Sequence, residues 1–437
     1  MKVLKFGGTS VGNAERIQYV ASLINNEEPK VVVLSAVSGT TNALVEIAGL
    51  YFKGKKETAR EKVDELADTY ETLTGQLYQE SSALKNAQAF LTEKFTFLKQ
   101  FAEGEFGEKQ EKEILAQGEV ISTNLMKFYL DEKGVEAELL SAFDFMRTKE
   151  GEPDLEYLGK QLSAILKPKQ EEGKKLFITQ GYICLNESGE VDNLQRGGSD
   201  YTASLIGAGI LAEEIQIWTD IDGMHNNDPR IVKDTFPVRE LSFDEAAELA
   251  YFGAKILHPA SILPAQKRSI PVRLKSTMKP DADGTLITDQ TTPKKIKAIA
   301  AKDGIYAIKI KSSRMLLAYG FLRKVFEVFE KYKTPIDMIT TSEVAVSLTI
   351  DNPKHLAAIE AELAEFGSVQ IDEGLTIVCA VGQYLQDEPG LVAKVLDCLK
   401  HIPIRMVSYG GSKNNVSLLV HNSDKENALL TLNKGLF

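Results

Sequence analysis

The stretch KVVVLSAV, residues 30–37, continues after its lysine as an almost unbroken run of apolar, mostly β-branched residues. Such a run is typical of a strand that is buried on both faces. The stretches at 174–183 (KKLFITQGYI) and 214–223 (EIQIWTDIDG) have the same character. Between residues 37 and 174, residues 108–130 carry an apolar stripe at helical spacing. Strands that alternate with amphipathic helices predict an α/β fold with helices on both faces of the sheet.

Composition excludes several classes of protein. The 437 residues are enough for two to four domains, and 43% apolar with 26% charged residues is typical of a soluble globular protein. A net charge of −11 argues against a nucleic-acid partner, although a few local cations can still bind an anionic ligand. Three distant cysteines without metal-binding spacing, and no apolar run near the roughly 18 residues of a membrane span, predict a cytoplasmic protein without a membrane partner.

The pattern along the chain divides it into parts. Residues 1–290 alternate strand-like and helix-like segments, with a charged helical excursion at 53–110. A lysine-rich stretch at 291–304, interrupted by Pro293, predicts a linker. We therefore expect one α/β domain over 1–290, followed by a separate C-terminal region.

The C-terminal region repeats itself. A glycine, an amphipathic helix, a Pro-Ile pair and a Val-Ser-Leu strand follow in the same order from Gly320 and from Gly390, which are 390 − 320 = 70 residues apart. Coincidence between two βα units is the alternative, but the matched order favours a duplicated α+β domain. We expect the copies at 305–372 and 373–437, with residues 295–302 free to add a strand to the second.

Two glycine pairs follow predicted strands. In KVLKFGGTS (2–10) the spacing fits neither the Walker A loop nor the dinucleotide motif GxGxxG, so an anion site at a strand-to-helix junction and a plain tight turn both remain open. In LQRGGSDYTASLIGAGI (194–210), Arg196 suits bidentate recognition of a carboxylate and Asp200 falls in the first helical turn. A surface cation followed by ordinary helix caps is the alternative there.

Three further stretches carry polar groups. The loop WTDIDGMHNNDPR (218–230) ends a buried-type strand, where ligands bind in open α/β sheets. Lys255 lies in FGAKILHPASI (252–262), and Glu119 interrupts an apolar helix face. Cations and glycine turns without an evident general base suit phosphoryl transfer assisted by Mg²⁺, which requires mainly positioning and charge neutralisation.

Taken in order, the motifs KFGGTSV, VVLSAVSGTTNAL, AQGEVIST, QRGGSDYTA, WTDIDG…NNDPR, FGAKILHPA and ITTSEV resemble those of the aspartate kinases. The likeness extends over essentially the whole chain. It is closest to the monofunctional, lysine-sensitive type, whose tail holds two ACT domains. The resemblance implies an αβα sandwich with a mainly parallel sheet, followed by two ferredoxin-like ACT domains.

The same resemblance implies an activity: phosphorylation of the β-carboxylate of L-aspartate by ATP to give 4-phospho-L-aspartate. This is the first step of the pathway to lysine, threonine and methionine. Mg²⁺ would be held mainly by the ATP phosphates, without a dedicated metal site. It also implies a homodimer formed through the ACT domains, with association to a tetramer left open, and inhibition by L-lysine or threonine.

Roles for individual residues are implied as well. Lys5 would contact the transferred phosphate, and Lys255 would lie on the nucleotide side of that phosphate. Asp200 would orient the reacting lysine and the phosphates. The implied aspartate-binding residues, among which Arg196 clamps a carboxylate and Glu119 meets the ammonium, are Ser35, Thr41, Glu119, Arg196, Gly197, Gly198 and Ser199. The implied nucleotide-binding residues are Lys5, Gly7, Gly8, Thr9, Ser10, Thr219, Asp220, His225, Arg230, Lys255 and Ile256.

The effector site is implied at the ACT interface, where Asp337 would pair with the ammonium of lysine. The implied effector residues are Met315, Ala318, Gly320, Phe321, Leu322, Ile336, Asp337, Thr341, Ser342 and Glu343. The chain departs from the family pattern at His225, where relatives often carry Tyr, and at Ala318, Tyr319 and Pro335, where Ser, Arg and Ser are common.

Two alternatives are compatible with the same fold. One is a kinase of the same superfamily with another acceptor, such as acetylglutamate or glutamate-5 kinase. The other is a non-catalytic amino-acid sensor. The ACT pair and the spelling RGGSDYTA favour aspartate, and the matched charged positions favour an active enzyme.

Overall fold

The computed structural model describes residues 1–194, 197–253, 257–291, 296–312 and 319–437. The chain forms two compact units. The first unit contains Met1–Met224, Arg239–Phe243 and Leu257–Gln290, and the second contains His225–Val238, Asp244–Ile256 and Thr291–Phe437. Two segments that precede residue 257 therefore belong with the C-terminal region.

The elements follow in chain order. The strands are β1 (Lys2–Phe6), β2 (Lys30–Leu34), β3 (Glu138–Leu140), β4 (Thr148–Lys149), β5 (Glu152–Pro153), β6 (Leu176–Gln180), β7 (Ile183–Leu185), β8 (Val191–Asn193), β9 (Ile215–Thr219), β10 (Glu240–Ser242), β11 (Val272–Ser276), β12 (Thr285–Thr288), β13 (Ala298–Lys311), β14 (Ile339–Thr341), β15 (Ala345–Ile350), β16 (Ser368–Val381), β17 (Met406–Tyr409) and β18 (Asn415–His421). The helices are α1 (Ala14–Ile24), α2 (Thr40–Phe52), α3 (Lys56–Leu77), α4 (Ser81–Gln100), α5 (Glu108–Glu132), α6 (Leu155–Glu171), α7 (Gly198–Ile210), α8 (Phe243–Tyr251), α9 (Leu263–Lys267), α10 (Phe321–Lys331), α11 (Leu356–Leu363), α12 (Leu391–Cys398) and α13 (Lys425–Leu436).

The first unit is built on an eight-stranded sheet in the order β10-β12-β11-β9-β1-β2-β6-β3. All neighbouring strands are parallel except β11 and β12, which are antiparallel. Every residue of β2 is buried, as its unbroken apolar run predicts. The predicted α/β fold is confirmed, and the carboxyl ends of β9, β1 and β2 lie side by side, with Phe6 opposite both Trp218 and Leu34.

The predicted helical excursion at 53–110 is confirmed as α3 and α4. Their apolar faces join α1, α2 and α5 in one hydrophobic core beside the sheet. Helix α5 matches the stripe predicted over 108–130, and Ile114, Ile121 and Leu125 are fully buried. No helix in the described ranges is long and apolar enough to cross a bilayer.

The second unit contains a six-stranded antiparallel sheet in the order β14-β15-β13-β16-β18-β17. Its two central strands, β13 and β16, pair from Ala298 opposite Val381 to Lys311 opposite Ser368. The first part of β13, Ala298–Lys302, therefore lies against the second sequence repeat. The predicted boundaries at 304/305 and 372/373 fall inside these long strands, and all the predicted domain boundaries remain predictions.

The duplication seen in the sequence is visible in this unit. Each repeat has its own hydrophobic core, one beneath α10 and α11 and the other beneath α12 and α13. Gly320 and Gly390 cap the first helix of each repeat with φ angles of 82° and 79°. Because this left-handed conformation strains residues with a Cβ atom, the same turn requires glycine in both copies.

Candidate active site

An ion pair lies at the carboxyl end of the first-unit sheet. Lys5 projects from β1 and its Nζ lies 2.6 Å from Oδ1 of Asp200, in the first turn of α7. Only 11% and 17% of the two side chains are exposed. A Cβ atom at position 7 would lie 3.4 Å from Lys5 Nζ, so Gly7 leaves room for the ammonium. The structure thus joins two of the three predicted catalytic residues.

A second contact brings α7 to the end of β2. The hydroxyl of Ser35 donates a hydrogen bond to Ser199 Oγ at 3.0 Å. This approach depends on Gly181, because a Cβ atom there would lie 2.3 Å from Ser199 Oγ. Gly197, with φ 73°, caps α7 and turns the chain into the helix. Two predicted acceptor residues, 164 apart in sequence, therefore meet.

Glu119 is the buried carboxyl group of this cluster. It is 4% exposed on α5, and its Oε1 accepts the backbone N–H of Ala36 at 3.2 Å. Glu119 Oε2 accepts no hydrogen bond from any residue in the described part of the chain. Burial raises the pKa of Glu119 to about 7, against the opposing effects of the Ala36 hydrogen bond and the charge of Lys5. An unsatisfied buried carboxylate is suited to receive an ammonium ligand.

The glycine pair after β1 lies between that strand and α1. Gly8–Val11 forms a 3-10 turn, and α1 begins only at Ala14, after Asn13 caps it. The junction between strand and α-helix therefore has two steps, a 3-10 turn and then the cap at Asn13, whose side chain accepts the Arg16 N–H. The turn still lies close to the end of β2: a Cβ atom at Gly8 would lie 3.0 Å from the Ala36 carbonyl oxygen.

Other predicted residues lie at the margin of the cluster. Thr41 is exposed on the first turn of α2, where it takes no part in the hydrogen bonds above, and its neighbour Thr40 is buried against Tyr70. Thr9 is exposed. Thr219 ends β9, and its hydroxyl accepts the Ile221 N–H at 3.1 Å, while Asp220 is exposed.

The predicted nucleotide residues are divided between the units. Thr219 and Asp220 belong to the first unit, and His225 and Arg230 belong to the second. His225 Nδ1 lies 2.8 Å from the Thr235 hydroxyl. The 81%-exposed Arg230 makes a bidentate pair with Asp228 at 2.9 and 2.7 Å, which lowers the pKa of that carboxyl group. Arg196, Lys255, Ile256, Met315 and Ala318 lie outside the described residues.

Asp337, the predicted effector ligand, is already paired. Its side chain is 2% exposed, and Oδ1 accepts the Lys302 ammonium at 2.7 Å and the Tyr251 hydroxyl at 2.8 Å. Lys302 also pairs with Asp351 at 2.8 Å, and its ammonium lies 4.3 Å from the centre of the Tyr251 ring. Sequence reasoning missed both partners, because neither the end of α8 nor the middle of β13 carries a motif.

The remaining described effector residues surround one end of the first repeat. Gly320 caps α10, Phe321 is buried beneath it and Leu322 is 37% exposed. Ile336 packs against the core of this repeat. Thr341, Ser342 and Glu343 are exposed at the hairpin between β14 and β15.

Tyr182 is a site residue that sequence reasoning missed. It adopts a left-handed conformation with φ 67°, and its N–H donates to Thr202 Oγ1 of α7 at 2.8 Å. Burial and the negative charge of Glu119 raise the pKa of Tyr182 to about 12. Its ring lies 3.9 Å from where a Cβ atom at Gly198 would be. The glycine before it, in QGYI, was the available signal.

The cluster has a distinct chemical character. A lysine, two carboxyl groups, paired hydroxyls and glycine turns converge where three parallel strands end. Across the described ranges, no group of three or more His, Cys, Asp or Glu side chains is arranged to hold a metal ion. Such a site can neutralise and orient a charged substrate, which phosphoryl transfer to an anionic acceptor requires.

Comparison with known proteins gives consistent matches. The model of the amino acid kinase family matches residues 1–276, and an ACT domain model matches residues 378–436. The lysine-sensitive aspartokinase 3 of Escherichia coli (strain K12) is 34% identical over 449 residues, which cover 100% of this chain and 99% of that protein. Aspartokinase 3, chloroplastic, of Arabidopsis thaliana is 35% identical over 100% of this chain and 81% of that protein.

Solved structures match over the same length. E. coli aspartokinase III in complex with aspartate and ADP, in the R-state, aligns with a TM-score of 0.83 at 34% identity, covering 100% of both chains. The complex of that enzyme with lysine and aspartate, in the T-state, aligns with a TM-score of 0.82 over 100% of this chain and 99% of that one. The resemblance found in the motifs is confirmed. The chain belongs to the amino acid kinase family and, within it, to the aspartokinases that carry ACT domains.

Proposed function

We propose that this chain transfers the γ-phosphoryl group of ATP to the β-carboxylate of L-aspartate, forming ADP and 4-phospho-L-aspartate. The observation that carries the proposal is the buried cluster in which Glu119 Oε2 accepts no hydrogen bond from the residues that the structure describes, while Lys5 is paired with Asp200. The acceptor carboxylate is itself the nucleophile, so no general base is needed. The aspartokinase relatives support the same activity.

The acceptor side would recognise a zwitterion. Glu119 would bind the ammonium group of L-aspartate, and Arg196 would bind a carboxylate of the same substrate through two hydrogen bonds. The hydroxyls of Ser35 and Ser199, Thr41 and the backbone of Gly197 and Gly198 would complete this side. The contact between Ser35 and Ser199 supports a common site for these groups.

The phosphoryl side would neutralise charge. Lys5 would bind the transferred phosphate, Asp200 would hold Lys5 in place, and Lys255 would approach from the nucleotide. The turn from Gly7 to Ser10 would follow the phosphates, and Thr219, Asp220, His225, Arg230 and Ile256 would line the nucleotide site. Mg²⁺ would be held mainly by the phosphates and would neutralise their charge. The small number of carboxylates in the cluster fits an ion that takes most of its ligands from the phosphates.

Regulation by L-lysine, or by threonine, would act at Asp337. The relative solved with lysine and aspartate supports lysine as the effector. Tyr251, whose hydroxyl donates a hydrogen bond to Asp337, is the last residue of α8 and lies four positions before Lys255 in the sequence. The Asp337 carboxylate therefore contacts the helix that precedes a predicted catalytic residue. We also propose a homodimer formed through the ACT domains, and a cytoplasmic location, which the three free thiols support.

Trapping the acyl phosphate with hydroxylamine tests the proposal. L-Aspartate should give hydroxamate, whereas N-acetyl-L-aspartate and N-acetyl-L-glutamate should not, because neither has an ammonium group for Glu119. Equal turnover of N-acetyl-L-glutamate would assign another acceptor. No turnover with any acceptor would favour a non-catalytic sensor.

A further inference from the structure

Thr277 joins two strand ends that the predicted site uses. It follows β11 directly and is 2% exposed. Its hydroxyl lies 2.6 Å from the carbonyl oxygen of Thr219, at the end of β9, and 2.9 Å from the hydroxyl of Ser10, in the glycine turn after β1. Because β11, β9 and β1 are neighbours in the sheet, Thr277 links the ends of three adjacent strands.

The direction of these hydrogen bonds follows from chemistry. A carbonyl oxygen only accepts, so the single hydroxyl hydrogen of Thr277 is directed to Thr219. Thr277 Oγ1 must then accept in the contact with Ser10, and Ser10 must donate. The backbone N–H of Ser10 donates to the Gly7 carbonyl at 2.9 Å. Both donors of Ser10 are therefore used within the protein.

This assignment changes the role of Ser10. A phosphate oxygen can only accept hydrogen bonds from the protein, and Ser10 has no donor left to offer. The hydroxyl instead fixes the glycine turn to the end of β9, where Thr219 and Asp220 are predicted to hold the nucleotide. A second bond, from the Gly7 N–H to the Trp218 carbonyl at 3.3 Å, connects the same turn and strand.

We propose that Thr277 is a positioning residue for the nucleotide: through Ser10 and Thr219, its hydroxyl holds the phosphate-side turn and the nucleotide-side strand at a fixed separation. This inference rests on the proposed function, since it takes those two segments to bind ATP. Thr277 takes no part in the hydrogen bond between Ser35 and Ser199 or in the one between Ala36 and Glu119. The loss of its hydroxyl should therefore affect ATP far more than aspartate.

The test compares Thr277→Val, which keeps the shape but lacks the hydroxyl, with Thr277→Ser, which keeps the hydroxyl. Thr277→Val should fold, because the backbone N–H of residue 277 still bonds the Thr219 carbonyl at 2.8 Å. We expect kcat/KM for ATP to fall about tenfold in Thr277→Val, because the buried hydroxyl of Ser10 loses its acceptor. The affinity for ADP, measured by calorimetry, should fall by a similar factor. The KM for aspartate should change less than about twofold, and Thr277→Ser should restore ATP kinetics.

Thr74→Val is the matched control, because Thr74 is fully buried in α3 and its hydroxyl bonds the Tyr70 carbonyl within the helix. It should leave ADP affinity unchanged. Unchanged ADP affinity in Thr277→Val, or equal losses in the Val and Ser variants, would overturn the inference. Wild-type protein that binds ADP but does not phosphorylate aspartate would overturn the proposed function alone, since the ADP titrations would still decide the role of Thr277.

Discussion

Lys5 Nζ and Asp200 Oδ1 lie 2.6 Å apart, which places a mostly buried ion pair where β1 ends and α7 begins. One partner comes from the strand of the first glycine turn and the other from the helix of the second. The pair thus connects the two glycine-rich motifs that the sequence analysis singled out. It holds the lysine ammonium at a defined position before any substrate arrives.

Replacement of Lys5 should therefore abolish most of the activity. We expect Lys5→Met to lower kcat by roughly 10²–10³, the typical cost of removing one charge-stabilising group from a transition state. Lys2→Met is the control, since Lys2 lies on the same strand and pairs with Glu28 at the surface. Steady-state kinetics with aspartate and ATP would measure both variants, and near-normal turnover in Lys5→Met would remove Lys5 from the mechanism.

Glu119 should make the ligand-free protein sensitive to pH. Its folded pKa of about 7 lies above the ordinary value of 4.5, so the folded state binds the proton more tightly. The resulting stabilisation is full below pH 4.5 and is lost as the pH rises through 7, a difference of about 3 kcal/mol. Glu119→Gln should lose less stability than wild type between pH 5 and 8, whereas Glu113→Gln, on the same helix, should behave as wild type.

The same group should control aspartate binding. Below pH 7 the substrate ammonium must displace a proton from Glu119, so the KM for aspartate should rise as the pH falls from 8 to 6. In Glu119→Gln the KM should be high at both pH values. A wild-type KM that stays constant over this range would contradict the role given to Glu119.

Gly181 should be intolerant of a side chain. In Gly181→Ala the new Cβ atom would meet Ser199 at 2.3 Å, so α7 must move away from β2. We expect the KM for aspartate to rise at least about tenfold and stability to fall by about 1–3 kcal/mol. Gly75→Ala, where a Cβ atom meets nothing within 4 Å, should match wild type in KM. Equal KM values for both variants would show that the Ser35–Ser199 contact is unimportant.

Lys302 should compete with the effector. A lysine ammonium that binds Oδ1 of Asp337 must displace the Lys302 ammonium, which lies 2.7 Å from that oxygen. We therefore expect Lys302→Met to lower the L-lysine concentration for half-inhibition by about tenfold, as one charge-assisted hydrogen bond no longer has to be broken. Lys309→Met, an exposed lysine on the same strand, is the control. Unchanged inhibition curves for Lys302→Met would exclude the competition.

Much of the fold was accessible from sequence because its signals are local. The apolar run at 30–37, the stripe over α5 and the paired glycines Gly320 and Gly390 each report nearby backbone geometry. Ordered motifs also identified the family correctly. The cluster of Lys5, Glu119 and Asp200 was predicted through that resemblance, since no periodicity requires these side chains to meet.

What sequence did not reveal depends on distant contacts. Asn227 donates to the Leu429 carbonyl, 202 residues away, and helps to place residues 225–238 in the second unit. The contact of Asp337 with Lys302 and the hydroxyl chain through Thr277 likewise join segments that are far apart in the sequence. The glycine pair at residues 7 and 8 left a tight turn and a strand-to-helix junction open, and the structure shows a 3-10 turn followed by α1.

The most direct test of the central claim is ³¹P NMR of the purified chain with MgATP and L-aspartate. We predict that an acyl phosphate resonance grows in step with ADP, and that it is absent with N-acetyl-L-aspartate and strongly reduced in Lys5→Met. If ADP and inorganic phosphate appear without an acyl phosphate, or if N-acetyl-L-aspartate is phosphorylated equally well, the proposed reaction and the role of Glu119 are contradicted.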